Sequence, residues 1–152
     1  NANAYLWQPL GAESDALWST DKNGMEKSFC CLNATTRDFA KLGQMVLQNG
    51  KWDSTQIIAA DFIKALTTPA SYLKDVNNHT VDWYGYQTWM INYENHQIPY
   101  FRGILGQFIF VMPDKNAVIV RLGKKIEKDD ADPKYQNEDI RNYIKAGLEV
   151  LN

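Results

Sequence analysis

The chain has 152 residues, a formal net charge of −2 and two cysteines. This length is sufficient for one domain with a buried core, and the composition is that of an ordinary globular protein. A net charge so close to zero gives no support for a nucleic-acid partner or for binding to a membrane surface. No run of apolar residues is long enough to predict a membrane-spanning segment.

The first eleven residues are typical of the end of a helix, and Gly11 supplies the stop signal. Because the chain opens inside such an element, we expect residues 1–152 to be a single domain that forms the C-terminal part of a longer protein, with the N-terminal remainder of that protein as its partner.

An extended piece around Trp18, a turn at residues 21–24 and a strand at residues 25–32 are predicted next. Cys30 and Cys31 are adjacent, and neighbouring cysteines rarely pair, so we expect two buried thiols on that strand. The two histidines, His79 and His96, lie in polar stretches without the spacing of a zinc site. The sequence therefore predicts no metal and no cofactor.

The clearest helix is predicted from residue 33 to residue 50, capped by Asn33 or Thr35 and ended by Gly50. Its apolar face contains Phe39, Leu42 and Val46. Gly43 in the middle costs about 1 kcal/mol relative to Ala unless close packing requires it. A second, shorter helix is expected at residues 59–66.

A strand is predicted at residues 83–91, with a hairpin partner at residues 98–102. Two apolar runs at residues 107–112 and 117–122, joined by a Pro-Asp-Lys-Asn turn, form a second hairpin. Such runs are typical of strands covered on both faces, so this hairpin should lie in the middle of the sheet. A last helix is expected at residues 138–151, with Asn137 as its cap.

These elements predict an α+β fold, in which helices pack against an antiparallel sheet. The acidic residues 129–132 are most simply a solvated loop, because they lack the glycine and ligand spacing of a calcium loop. Gly103 and Gly106 precede the central hairpin, where they either form a β-bulge or let a ligand or backbone approach closely.

A nucleophilic serine needs a base beside it, and the one Ser-x-x-Lys match is Ser71 with Lys74. This pair lies in a polar, loop-like run rather than at the start of a buried helix, where the lysine would be desolvated. We interpret the match as coincidence.

Several segments, in order, resemble the C-terminal part of serine β-lactamase-like hydrolases, and especially the aminohexanoate-dimer hydrolases and related esterases. They are WQPLG at residues 7–11, RDFAKLG at 37–43, NGKW at 49–52, YGY at 84–86 and GILGQFIFVMP at 103–113. The resemblance covers nearly the whole chain. It implies the β-lactamase/transpeptidase-like fold, with the nucleophilic Ser-x-x-Lys and the Tyr-x-Asn or Tyr-x-Ser motif upstream of residue 1.

The resemblance also implies roles for residues at the start of the central hairpin. Gly103 and Ile104 correspond to the strand that supplies a backbone N–H to the oxyanion hole, although a register with residues 104–106 on the motif is the alternative. Phe101 stands where the family often has Lys or His, which makes β-lactam hydrolysis a less fitting activity. The expected substrate-binding residues are Trp83, Tyr84, Tyr86, Trp89 and Arg102, of which each aromatic residue could equally belong to the sheet core.

The resemblance thus implies a serine hydrolase that cleaves an amide, ester or peptide substrate through an acyl-enzyme, and a chain that is inactive alone. A binding module for peptide or cell-wall fragments is the alternative. A cysteine hydrolase using Cys30 or Cys31 is a third hypothesis, disfavoured because no histidine is near in sequence. The family implies a bacterial periplasm or cell envelope, with the cytoplasm as the other compartment.

Overall fold

The computed structural model describes residues 2–124 and 138–151, which form a four-stranded antiparallel sheet, two short hairpins and three α-helices. The strands are β1 (Leu17–Trp18), β2 (Leu32–Asn33), β3 (Lys51–Trp52), β4 (Thr55–Gln56), β5 (Trp89–Tyr93), β6 (His96–Arg102), β7 (Phe108–Met112) and β8 (Ala117–Arg121). The helices are α1 (Thr36–Leu47), α2 (Ala60–Leu66) and α3 (Glu138–Leu151). A π-helical turn at Asn3–Trp7 precedes them, and Gly11 has a left-handed φ of 62°.

The main sheet has the strand order β5-β6-β7-β8, with every neighbouring pair antiparallel. All five residues of β7 are buried, as predicted for a strand covered on both faces. In the part of the chain that the structure describes, β8 lies at the sheet edge. Among the described residues, the predicted position in the middle of the sheet is therefore confirmed for β7, whereas β8 has a strand neighbour on one side only.

Helices cover both faces of the sheet. On one face, α3 packs through Ile140, Ile144 and Leu148 against side chains that include Tyr100 and Phe110. On the other face, α1 and α2 pack against another apolar cluster, which includes Val111 and Phe101. The sheet is therefore the middle layer of an α+β architecture.

Helix α1 begins after Thr35, which is one of its two predicted caps. Thr35 is the N-cap residue, and its side-chain oxygen accepts a hydrogen bond from the Asp38 N–H. The helix ends before Gly50, which has a φ of 83°. Gly43 is buried, and a Cβ atom there would lie 2.6 Å from Val118 Cγ1 and 2.8 Å from Ile109 Cγ2. Close packing against the sheet thus explains the glycine inside the helix.

The predicted strand at residues 25–32 is wrong for most of its length. Glu26 forms an isolated antiparallel bridge with Thr20, residues 28–30 form a turn, and only Leu32 and Asn33 pair with β1. The expectation of two buried thiols is also wrong, because Cys30 and Cys31 are exposed and joined by a disulfide. Cys31 has a left-handed φ of 74°, which is incompatible with a continuous strand.

The predicted strand at residues 83–91 begins only at Trp89. The preceding residues form a tight turn in which the Gly85 N–H donates to the Thr88 carbonyl (2.9 Å) and the Met90 N–H to the Trp83 carbonyl (2.9 Å). Gly85 is buried against the end of α2, since a Cβ atom there would lie 2.7 Å from the Thr68 carbonyl oxygen. The aromatic composition predicted strand, but this packing against α2 bends the chain instead.

The acidic residues 129–132 and the predicted cap Asn137 lie outside the described residues. Within residues 2–124 and 138–151, no helix combines the length and the apolar character needed to cross a membrane.

Candidate active site

The loop at residues 103–107 joins β6 to β7 and contains the predicted oxyanion donor. It is a tight turn, in which the Gly103 N–H donates to the Gln107 carbonyl (2.8 Å) and the Gly106 N–H to the Gly103 carbonyl (3.1 Å). Gly106 has a φ of 86°, a conformation that favours glycine. The two glycines thus serve the turn.

The side chain of Gln107 fixes the inner side of this loop. Its Oε1 atom accepts a hydrogen bond from the Leu105 N–H (3.2 Å), and its Nε2 atom donates to the Gly123 carbonyl (3.4 Å). A Cβ atom on Gly103 would overlap the Gln107 side-chain oxygen. Gly103 therefore lets Gln107 lie against the loop backbone.

Arg121, at the end of β8, fixes the loop from the neighbouring hairpin. Its guanidinium donates to the carbonyl oxygens of Gly106 (2.6 Å) and Gly123 (2.7 Å). The same group lies 5.5 Å from the centre of the Tyr143 ring on α3. Arg121 thus joins the loop to β8 and to the helix behind it.

Ile104 lies at the outer tip of this loop. Its side chain is 94% exposed, whereas its neighbours Gly103 and Leu105 are held through their N–H groups. Within residues 2–124 and 138–151, no hydrogen bond engages the Ile104 N–H. The backbone N–H of Ile104 is therefore available to donate to a ligand from a loop that is fixed on both sides.

Four of the five predicted substrate-binding residues lie together beside the end of β6. The ring of Trp89 stacks on Trp83 at 5.6 Å between centroids and meets Tyr84 edge-on at 4.8 Å. The guanidinium of Arg102 lies 5.7 Å from the centre of the Trp89 ring. Tyr86 lies apart from this group and contacts Phe62 of α2.

Alternation along β6 separates Phe101 from Arg102. Side chains of successive strand residues point to opposite faces. Phe101 accordingly packs in the apolar cluster beneath α1 and α2, while Arg102 shares a face with Tyr100, the register partner of Trp89. The cation nearest to Gly103 along the strand is thus Arg102, and the Phe101 ring belongs to the core.

No family model matches the chain. It is 25% identical over 125 residues to a 6-aminohexanoate-dimer hydrolase from Paenarthrobacter ureafaciens, a match that covers 79% of this chain and 32% of that protein. A Bacillus anthracis protein named as a 6-aminohexanoate-dimer hydrolase superposes with a TM-score of 0.77 at 23% identity, over 99% of this chain and 37% of that one.

A Bacteroides dorei DSM 17855 protein named as a β-lactamase also superposes, with a TM-score of 0.60 at 16% identity, over 95% of this chain and 49% of that one. The chain has a β-lactamase-like fold. The predicted fold class and the resemblance to β-lactamase-like proteins are thereby confirmed. This β-lactamase-like chain spans about a third of the curated relative, 32% of its length.

The candidate nucleophiles within the chain, Ser71 and the two cysteines, are not arranged for catalysis. Ser71 lies in an exposed turn, and the Lys74 ammonium donates to the Thr80 hydroxyl at 2.6 Å on the surface. Cys30 and Cys31 form a disulfide with each other and offer no thiolate in this state. Among the described residues, no group of three or more His, Cys, Asp or Glu side chains is arranged to hold a metal ion.

Sequence reasoning missed the two side chains that fix the loop, Gln107 and Arg121. Each is a polar residue at the end of an otherwise apolar strand run, and this pattern was the available signal. In the register of the β7–β8 hairpin, Arg121 lies opposite Phe108, the residue after Gln107. The hairpin prediction would therefore have brought the two residues to the same end of the sheet.

Proposed function

We propose that this chain is the portion of a serine acyl hydrolase that supplies one oxyanion donor and one wall of the substrate cleft. The reaction is hydrolysis of an amide or ester bond through an acyl-enzyme, with the nucleophilic serine and its lysine outside residues 1–152. The observation that carries the proposal is the Ile104 N–H, which is left without a partner in the described residues on a loop that Gln107 and Arg121 hold in place.

The chemistry of acyl transfer gives such an N–H a role. As the nucleophile adds to the substrate carbonyl, negative charge develops on the carbonyl oxygen, and a fixed donor stabilises it without having to reorganise. A backbone donor needs no particular side chain, so an exposed isoleucine suits the position. The fixed loop supports this role, since a donor that moved would lose much of its effect.

The surroundings of the loop support a cleft for a substrate with an apolar part. Trp83, Tyr84 and Trp89 provide a half-buried aromatic surface, and the guanidinium of Arg102 lies beside it. The P. ureafaciens relative is named for hydrolysis of the 6-aminohexanoate dimer, which agrees with an amide substrate. In our proposal these groups bind the acyl part of the substrate, and the Ile104 N–H donates a hydrogen bond to the oxygen of the reacting carbonyl.

A fluorophosphonate probe on the intact protein tests the class of enzyme. Such probes react with serines that are activated as nucleophiles. We expect one adduct, located by peptide mass spectrometry on a serine outside residues 1–152. Absence of any adduct in folded protein would reject the hydrolase and favour a module that binds peptide or cell-wall fragments.

Ile104→Pro tests the oxyanion donor, because proline removes the N–H and adds no charge. We expect kcat for a p-nitrophenyl acyl ester to fall by about 10²–10³-fold, the effect of losing one oxyanion donor. Ile104→Ala is the matched control, since it keeps the N–H and truncates an exposed side chain. Equal losses in the two variants, with unchanged thermal unfolding, would overturn the role of the Ile104 N–H.

A further inference from the structure

Cys30 and Cys31 form a disulfide between adjacent residues, and both residues are exposed. Exposed disulfides are more easily reduced than buried structural ones. The pair lies between the turn at residues 21–24 and strand β2, in a segment that ends at the N-cap of α1. This disulfide is therefore accessible to reagents in solution.

A global stabilising role does not account for this disulfide. A cross-link stabilises a protein mainly by restricting the unfolded chain, and the effect grows with the length of the loop that it closes. Here the two half-cystines are neighbours, with a sequence separation of 1. The cross-link therefore restricts little beyond its own two residues, and its effect is local.

Locally, the disulfide-bonded residues hold the ends of the segment at residues 17–33 together. The Cys30 carbonyl accepts a hydrogen bond from the Trp18 indole N–H (2.9 Å), and the Cys31 carbonyl accepts one from the Ser19 N–H (3.1 Å). Cys31 adopts a φ of 74°, which is uncommon for a residue other than glycine. Both hydrogen bonds are made with Cys31 in this conformation.

We propose that Cys30–Cys31 is a thiol–disulfide exchange site for dithiol reductants, and that its reduction releases the segment at residues 17–33. In the oxidised state the ring holds Cys31 in its left-handed conformation and keeps the two carbonyls hydrogen-bonded to the Trp18 indole and the Ser19 N–H. In the reduced state Cys31 is free to leave that conformation, and the hydrogen bonds to Trp18 and Ser19 are lost. The local structure before α1 thus depends on the redox state.

The exchange is balanced with a dithiol as the reductant. One thiolate of the dithiol attacks a sulfur of the pair, the Cys30–Cys31 bond breaks, and a mixed disulfide forms. The second thiol of the reductant then displaces the protein sulfur and closes its own disulfide. The protein gains two electrons and two protons as two thiols, and the dithiol is oxidised to its cyclic disulfide.

Differential alkylation and amide hydrogen exchange on the intact protein test the proposal. We expect iodoacetamide to modify neither cysteine before reduction, and both after dithiothreitol treatment without denaturant. The Lys27 N–H donates to the Ser19 carbonyl (3.1 Å). Exchange at the Ser19 and Lys27 amides should rise by about tenfold or more on reduction, while the amides of β7 stay protected. Alkylation of both cysteines without reductant would overturn the proposal, as would unchanged exchange at Ser19 after reduction.

Two variants separate the disulfide from the hydrogen bonds that it supports. The double variant that combines Cys30→Ser and Cys31→Ser should show fast amide exchange at Ser19 both with and without dithiothreitol. Trp18→Phe removes the indole donor and keeps the disulfide, so its exchange at Ser19 should still respond to dithiothreitol. Slow exchange in the double serine variant would show that the disulfide does not hold this segment and would reject the proposal.

Discussion

The carboxylate of Asp38 is buried where α1 begins, and it ties the preceding loop to the helix. It accepts hydrogen bonds from the Glu13 N–H (2.7 Å) and from the Thr35 hydroxyl (2.7 Å). Burial alone would raise the pKa of the Asp38 carboxyl. The hydrogen bonds from Glu13 and Thr35, with the charge of Lys41, outweigh it and lower that pKa from its ordinary 3.8.

Because this pKa is lowered on folding, the ionised Asp38 stabilises the folded state above pH 3.8. That stabilisation is lost as the pH falls through the lowered folded value. We expect Asp38→Asn to reduce the free energy of unfolding at pH 7 by about 1.5–3 kcal/mol, the usual contribution of hydrogen bonds to a charged group. The difference from the unmutated protein, measured by urea unfolding, should shrink as the pH falls from about 5 to about 2.

Asp61→Asn is the matched control, because Asp61 also lies in the first turn of a helix but is exposed. Its interaction with the helix dipole is worth about 0.3–1 kcal/mol, so its effect should be smaller than that of Asp38→Asn. Equal effects of the two substitutions at pH 7 would show that the buried hydrogen bonds of Asp38 contribute no more than the dipole.

At the scale of elements, glycine determines how closely the helices approach the sheet. Gly43 places α1 directly on Ile109 of β7 and Val118 of β8. On the opposite face, a Cβ atom on Gly147 of α3 would overlap the side chain of Ile119. Strand β8 thus has a glycine-mediated helix contact on each face, although its outer edge has no neighbouring strand among the described residues.

Gly43→Ala should destabilise the protein, despite the better helix propensity of alanine. The propensity gain is about 1 kcal/mol. The added methyl would meet two stiff β-branched side chains at under 3 Å, and overpacking of this kind costs about 1–3 kcal/mol. We therefore expect a net loss in the free energy of unfolding, measured by urea denaturation.

A double-mutant cycle isolates the packing contact. Val118→Ala removes the side-chain atom nearest to the added methyl, so Gly43→Ala with Val118→Ala should be less destabilised than the sum of the two single variants. Additive losses would mean that the contact between α1 and β8 does not determine the cost at Gly43.

At the scale of the whole molecule, the two ends of the main sheet differ in how their turns are hydrogen-bonded. A hydrogen bond between the His96 ring and the Asp114 carboxyl joins the β5–β6 and β7–β8 turns, at the end opposite to the loop at residues 103–107. Burial acts to raise the pKa of the Asp114 carboxyl, but the hydrogen bond and charge of His96 outweigh it and lower that pKa. The turns at one end are thus joined by the contact between His96 and Asp114, and the loop at the other end exposes the Ile104 N–H.

Much of the fold follows from local signals. The candidate caps Asn33 and Thr35, Gly50 and the apolar periodicity predict α1, and the Pro-Asp-Lys-Asn turn predicts the β7–β8 hairpin. The segment at residues 83–88 was predicted incorrectly, because its bend depends on the contact of Gly85 with α2. Propensity describes a residue and its neighbours in sequence, and it contains no information on that contact.

Some features of the candidate site could likewise be predicted from local sequence, and others depend on tertiary contacts. The sequence by itself determined the helices, the central hairpin, the position of Gly103 and Ile104 before it and the resemblance to β-lactamase-like proteins, because each depends on residues close together in the chain. Only the tertiary structure decided that Gln107 and Arg121 fix the loop, that Phe101 lies in the core and that Cys30 pairs with Cys31. These features depend on the path of the backbone and on which face each side chain meets, and both result from packing of the complete sheet with its helices.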